Sequence, residues 1–186
     1  MDILNICTRK EFRSWLSLNH DKEKECFVVL KRGRPKDDGL FYYLDAVEEA
    51  LCFGWIDSTL KKVDGKMVQR FSPRTLSSNW TELNKERVRR LEKLGLMTDA
   101  GRNVLPPLNE EFVIDSEIES RLKKAQCWDI FITFPKLYQR VRLSNLSFYK
   151  KLDKAMYQKG LEHLIEETKK GHMFGEWNDY GRLLEY

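Results

Sequence analysis

Residues 44–94 read LDAVEEALCFGWIDSTLKKVDGKMVQRFSPRTLSSNWTELNKERVRRLEKL, a helix, a hairpin, a Pro-Arg corner and a second helix. Leu44, Val47, Ala50, Leu51 and Gly54 share one helical face, with Asp45, Glu48 and Glu49 opposite. Asp45 stands as the cap with Glu48 three residues on. Gly54 suits the position just past the helix, where glycine takes a positive φ at little cost. This helix reads as ordinary core.

Asp64-Gly65, between two strand-like runs, is a strong hairpin signal. With a two-residue turn, Val63 faces Lys66, Lys61 faces Val68 and Thr59 faces Arg70. Side chains alternate along a strand, so Leu60, Met67 and Phe71 share one face, suited to a core. Asp57, Thr59, Lys61, Val68, Arg70 and Ser72 share the other. A three-residue turn with a bulge at Gly65 would shift this register. Pro73 cannot donate to a ladder and ends the sheet. Ser77, Ser78 and Asn79 compete to cap the next helix, Asn79 with Glu82 as one box. Trp80, Leu83, Val88, Leu91 and Leu94 form its apolar stripe, and Gly95 closes it.

Upstream, Thr8 to Leu18 reads as an amphipathic helix with a Thr8/Glu11 capping box and Phe12, Trp15 and Leu16 inward. Cys26 to Leu30 is a continuous apolar run and reads as a strand covered on both faces. Downstream, Thr98 caps a short helix before Pro106-Pro107, and the acidic run behind that double proline marks a boundary. Beyond it the pattern is helical to about Gly171: Ser116 and Glu119 open one helix, an aromatic cluster precedes Pro135, and an aromatic tail packs back. The expected fold is α+β: a small antiparallel sheet, one strand plus a β-hairpin, packed on helices and followed by a mainly helical C-terminal half. The expected organisation is an α+β core over 1–105 and a helical extension over 106–186.

The 186 residues are 41% apolar and 33% charged with a net charge of +4, which excludes a disordered chain. No run of about 18 apolar residues exists, so no membrane span is expected. The start, MDILNICTRKEF, lacks the apolar core of a secretory signal. Cys7, Cys26, Cys52 and Cys127 form no C-x-x-C pair, which predicts reduced thiols in a cytoplasmic protein, and His20, His163 and His172 add no metal-ligand spacing. No metal and no cofactor is expected.

Three constellations carry possible chemistry. Asp57, Arg70 and Arg74 come together in the proposed register, while Asn84 and Arg87 edge the stripe of the following helix. These residues read either as a structural ion-pair set or as an anion-recognising cleft walled by Trp55 or Trp80. Residues 61–93 hold ten Lys/Arg against four acids, and residues 136–160 hold seven against one, so each stretch carries +6. Interleaved aromatics make nucleic-acid binding an alternative, although no recognised module motif is present. The third is catalysis: no G-x-S-x-G, Walker or H-E-x-x-H motif occurs, and no catalytic residue is assigned. An enzyme using Asp57 with Arg70 or Arg74 on a small anionic substrate is a further alternative.

The words AVEEALCFGWIDS, FSPR and SSNWTELNKERVRRLEKLGLMTDAG resemble the YdeI/OmpD-associated family of bacterial proteins, also labelled bacteriocin-protection or OmdA-like proteins. The resemblance covers residues 8–105 and rests on Glu49, Cys52, Gly54, Trp55, Asp57, Phe71, Pro73, Arg74, Ser78, Trp80, Asn84, Arg87, Leu91 and Gly101. It implies tolerance of antimicrobial agents or association with an envelope protein. The C-terminal half departs from the family's usual ending with FPKLYQRVRLSN and WNDYGRL. The expected function is non-enzymatic binding or stress protection, with a small anionic ligand or a protein as partner.

Overall fold

An edge strand that the sequence patterns do not announce opens the fold. In a computed structural model that describes residues 3–75 and 78–186, β1 (Ile3–Leu4) pairs in parallel with β2 (Cys26–Val29). Two residues are too few to show a period. Between them, Thr8 Oγ1 accepts the Glu11 N–H at 3.2 Å while the Glu11 carboxylate accepts the Thr8 N–H at 3.0 Å. This capping box starts α1 (Arg9–Asn19), which buries Phe12 and Leu16 completely. α2 (Tyr43–Cys52), preceded by Tyr42 at the cap position, starts three residues earlier than an Asp45 cap predicts. Asp45 is therefore not its cap but part of its first turn, where its charge suits the positive helix end. Gly54 takes φ 74° just beyond it.

β3 (Trp55–Val63) and β4 (Lys66–Pro73) form the hairpin, with Asp64 at φ 48° and Gly65 at φ 80° as its two-residue turn. The strand order is β1-β2-β4-β3, antiparallel except for β1, so the fold is α+β as expected. α3 (Glu82–Lys93) follows, and Thr81 Oγ1, not Ser78 or Asn79, accepts its Asn84 N–H at 3.2 Å. Ser77, the third candidate, lies outside the described residues. Val88 and Leu91 of its stripe are buried, whereas Leu94 is exposed. α4 (Asp99–Arg102) is capped by Thr98 as predicted.

The rest is helical: α5 (Ser116–Lys124), α6 (Trp128–Phe131), α7 (Lys136–Leu152), α8 (Lys154–Lys169) and a 3-10 turn at Asp179–Gly181. Asp115, not Ser116, caps α5, its carboxylate accepting the Glu117 and Ile118 amides.

The chain divides into two compact units. The first comprises Met1–Asn79, Arg87–Leu108 and Tyr186; the second comprises Trp80–Glu86 and Asn109–Glu185. In the first, Phe12 meets Phe41 and Phe71, and Trp15 meets Trp55 edge-on. The second has its own core, in which Ile118, Leu122, Phe131, Tyr138 and Leu161 are fully buried. Its aromatic tail returns to that core through Trp177 and Leu183.

Candidate functional site

The register of the hairpin decides which side chains can meet. From the turn to Leu60 the pairing is the predicted one: Val63 with Lys66, Lys61 with Val68, Leu60 with Gln69. Between Leu60 and Asp57 the register shifts by one residue, so Asp57 pairs with Phe71 and Ile56 with Ser72. Thr59 does not pair with Arg70; that residue pairs with Phe27 instead. The irregularity is a bulge at Ser58-Thr59 in β3, not at Gly65. One extra residue inverts the side-chain alternation beyond it. Asp57 consequently lies on the face of Phe71, opposite to the face that unbroken alternation predicts. The expected core face also needs correction: Phe71 is buried, but Leu60 and Met67 near the tip are each 41% exposed, and Val68 on the other face is fully buried.

Gln69 explains why the bulge is tolerated. Its side chain is 1% exposed, and Nε2 donates to the carbonyls of Ser58 (3.3 Å) and Thr59 (3.4 Å), the two bulge residues. Its Oε1 accepts from Arg32 Nη2 at 2.7 Å. The Arg32 guanidinium lies 3.7 Å from the centroid of the Tyr43 ring. Tyr43 Oη donates to Asp57 Oδ2 at 2.6 Å. The bulge, a buried amide, an arginine, a tyrosine and an aspartate are thus linked in one chain of contacts within the first unit.

Burial pushes the Tyr43 phenol up to about 12; the Asp57 charge and hydrogen bond add to this, while Arg87 and Arg32 oppose it. At neutral pH the phenol is therefore a donor. Arg74, 5% exposed, is held by Nη1 donating to the Asn79 carbonyl at 3.2 Å and by its own amide donating to the Gly54 carbonyl at 2.8 Å. Burial draws its guanidinium down to about 10, and the nearby Asp57 opposes that shift. It remains a cation at neutral pH. Arg32, Arg74 and Arg87 thus gather their charge around one Tyr43–Asp57 pair.

Of the seven sequence-derived candidates, the structure brings together Asp57, Arg74 and Arg87. Arg70 points to the opposite face, where Nε donates to Glu25 (2.6 Å) and Nη1 to Ser58 Oγ (3.0 Å). Trp55 is not a cleft wall: it is 1% exposed, packs on Trp15, and its Nε1 donates to the His20 carbonyl at 3.1 Å. Trp80 and Asn84 belong to the second unit. Sequence reasoning missed Tyr43, Arg32 and Gln69. Gln69 left a readable trace, an amide at i+2 from Met67 and i−2 from Phe71 on a face read as apolar.

A buried set of ion pairs in the first unit lies elsewhere. Glu48 and Glu49, the supposed outer face of α2, are 0% and 2% exposed. Glu48 is held by Arg9 and Arg90, both at 2.8 Å, and Glu49 by Arg9 (2.6 Å) and Arg13 (2.7 Å). These charges are mutually consumed and read as structural. In the second unit, Arg140 pairs with Glu82 and Glu86, and Lys150 with Asp115 and Glu117, so the basic stretches are partly neutralised. Among the described residues, no group of three or more His, Cys, Asp or Glu could hold a metal ion, and no helix is long and apolar enough to cross a membrane.

A family model described as a domain of unknown function (DUF8412) matches residues 4–104, which contain α1 to α4, β2 to β4 and the second residue of β1. No curated protein and no solved structure matches the chain.

Proposed function

The chain belongs to the DUF8412 family of domains of unknown function, and we propose that its first unit is a binding module that recognises an anionic group, phosphate or carboxylate, at the Tyr43–Asp57 cluster. One observation carries this reading. Arg32 is exposed, is aligned by Gln69 and the Tyr43 ring, and pairs with no carboxylate among the described residues. A guanidinium fixed in orientation and open to water suits fork-like recognition of two oxygens. Arg87 and Arg74 strengthen the local positive field, and the Tyr43 phenol, protonated at neutral pH, keeps Asp57 oriented. For an enzyme built on Asp57, the pairing with Arg70 is disfavoured, since Arg70 faces the other way, whereas Arg74 lies near Asp57. Reduced, unpaired cysteines support a cytoplasmic setting. A role in stress protection rests on the resemblance of residues 8–105 to the YdeI/OmpD-associated proteins.

The test is a thermal-shift panel of inorganic phosphate, pyrophosphate and dicarboxylates on the full chain, with calorimetric titration of any anion that stabilises it. Arg32→Ala, a surface change, is expected to weaken binding by about tenfold, the worth of one charged hydrogen bond. Silence across the panel, or equal affinity in Arg32→Ala, would refute the reading.

The hairpin tip favours a second reading. Lys61, Lys62 and Lys66 are exposed there and could contact nucleic-acid phosphates. Loss of binding to duplex DNA in the triple alanine variant, with a salt slope smaller by roughly 3, would support it.

A further inference from the structure

The second unit holds a cleft of about 300 Å³ between α7, α8 and the segment carrying Phe174. Leu146, Leu164 and Phe174 give it apolar walls, and Tyr149 and Met156, 36% and 47% exposed, stand among its outer residues. Arg142 and Lys159 supply positive charge, and none of the lining residues is a carboxylate.

Arg142 is the unusual member. Its Nη2 donates to the Phe174 carbonyl at 2.5 Å, and its guanidinium carbon lies 4.4 Å from the Phe174 ring centroid and 5.3 Å from that of Tyr138. A side chain at residue 175 would put its Cβ 2.5 Å from Nη2, so Gly175, at φ 71°, leaves the space the guanidinium occupies. The buried Nε has no hydrogen-bond partner, and no carboxylate pairs with Arg142, among the described residues. A cation held among rings with no counter-ion is an incomplete arrangement. Burial accordingly draws its pKa below the ordinary arginine value, with Tyr138 opposing.

We propose that this cleft binds a small amphipathic monocarboxylate. The head group pairs with Arg142, the apolar body lies against Leu146, Leu164 and Phe174, and Lys159 at the rim draws the anion in. Charge complementarity selects an anion, and the apolar walls select a hydrocarbon body. A single guanidinium already bonded through one nitrogen matches one carboxylate better than a dianionic phosphate, which needs more donors. The volume falls at the small end of ligand sites, which excludes a folded partner inside it.

Calorimetric titration of the full chain with octanoate, below its micelle threshold, tests the proposal. Octylamine and octanol serve as charge controls. Octanoate is expected to bind one to one, and each methylene removed from it to weaken binding about fourfold. Arg142→Gln is expected to weaken it about tenfold or more. Met156→Trp changes an exposed side chain and spares the core, so it separates loss of the site from loss of the fold; it is expected to obstruct the cleft and abolish the octanoate heat. Octylamine binding as tightly as octanoate, unchanged affinity in Met156→Trp, or no octanoate heat at all would each overturn the proposal. So would dimerisation that protects Met156 without any response to octanoate, which would assign the cleft to a second copy of the chain.

Discussion

Replacing Arg9 with Met is expected to destabilise the first unit by about 3 kcal/mol. Arg9 Nε lies 2.6 Å from Glu49, and its Nη1 lies 2.8 Å from Glu48 and 3.2 Å from Asp45. The Glu48 and Glu49 side chains are only 1% and 3% exposed. Each would keep one arginine, Arg90 for Glu48 and Arg13 for Glu49. Stranding a buried charge outright costs roughly 3–5 kcal/mol. Three lost charged hydrogen bonds at roughly 1.5–3 kcal/mol each, cut by about half because Arg9 is 33% exposed, give roughly 2–4.5 kcal/mol, centred on about 3 kcal/mol. For a chain of this size that corresponds to a fall of roughly 6–12 °C in Tm. Hydrogen exchange on α1 and α2 reads the first unit separately from the second. Glu49→Gln should cost less, because Arg9 and Arg13 can turn to water whereas a buried carboxylate cannot. A loss below about 1 kcal/mol for Arg9→Met, or a larger loss for Glu49→Gln, would refute this reasoning.

Three further outcomes follow from local chemistry. Gln69→Leu removes the amide that holds the Ser58 and Thr59 carbonyls and aligns Arg32; it should cost about 1–3 kcal/mol in urea unfolding and weaken any anion bound near Tyr43. With a thiol reagent at pH 8, exposed Cys7 should react at once, while Cys26 and Cys52, whose thiols burial pushes up to about 12, should wait for unfolding; early labelling of three or four thiols would contradict the burial described. Glu167, bound by Lys170 and then His172, has its carboxyl drawn down from 4.5 to about 2. Its contribution to stability is present above the ordinary carboxylate range and is lost as pH falls through about 2; an NMR midpoint near 4.5 would remove it.

The parts of this fold that were legible in the sequence are those set by local rules. The Thr8/Glu11 box, the Asp64-Gly65 turn and the alternation near the turn each need only a few neighbouring residues to agree. The candidate site failed at the bulge, because nothing local marks Ser58-Thr59 as a place where one residue is added. The compensation, Gln69, lies on the other strand and becomes meaningful only once the two strands are paired. Glu48 and Glu49 misled for a similar reason: helical periodicity places them opposite the apolar stripe, but arginines 36 to 42 residues away make that face buriable. Trp55, tryptophan of a suspected wall, was spoken for by the core and by the His20 carbonyl.

The bulge gives the hairpin a parity. Lengthening both strands at the tip by equal numbers of residues leaves Asp57 facing Tyr43, since nothing on the helix side of Ser58 moves. Removing the single residue Ser58 would reverse every side chain from Asp57 back to Trp55 while sparing the tip. Homologous chains able to keep the Tyr43–Asp57 contact are therefore expected to vary freely in hairpin length but to hold the bulge and a buried amide opposite it as a pair, gained or lost together.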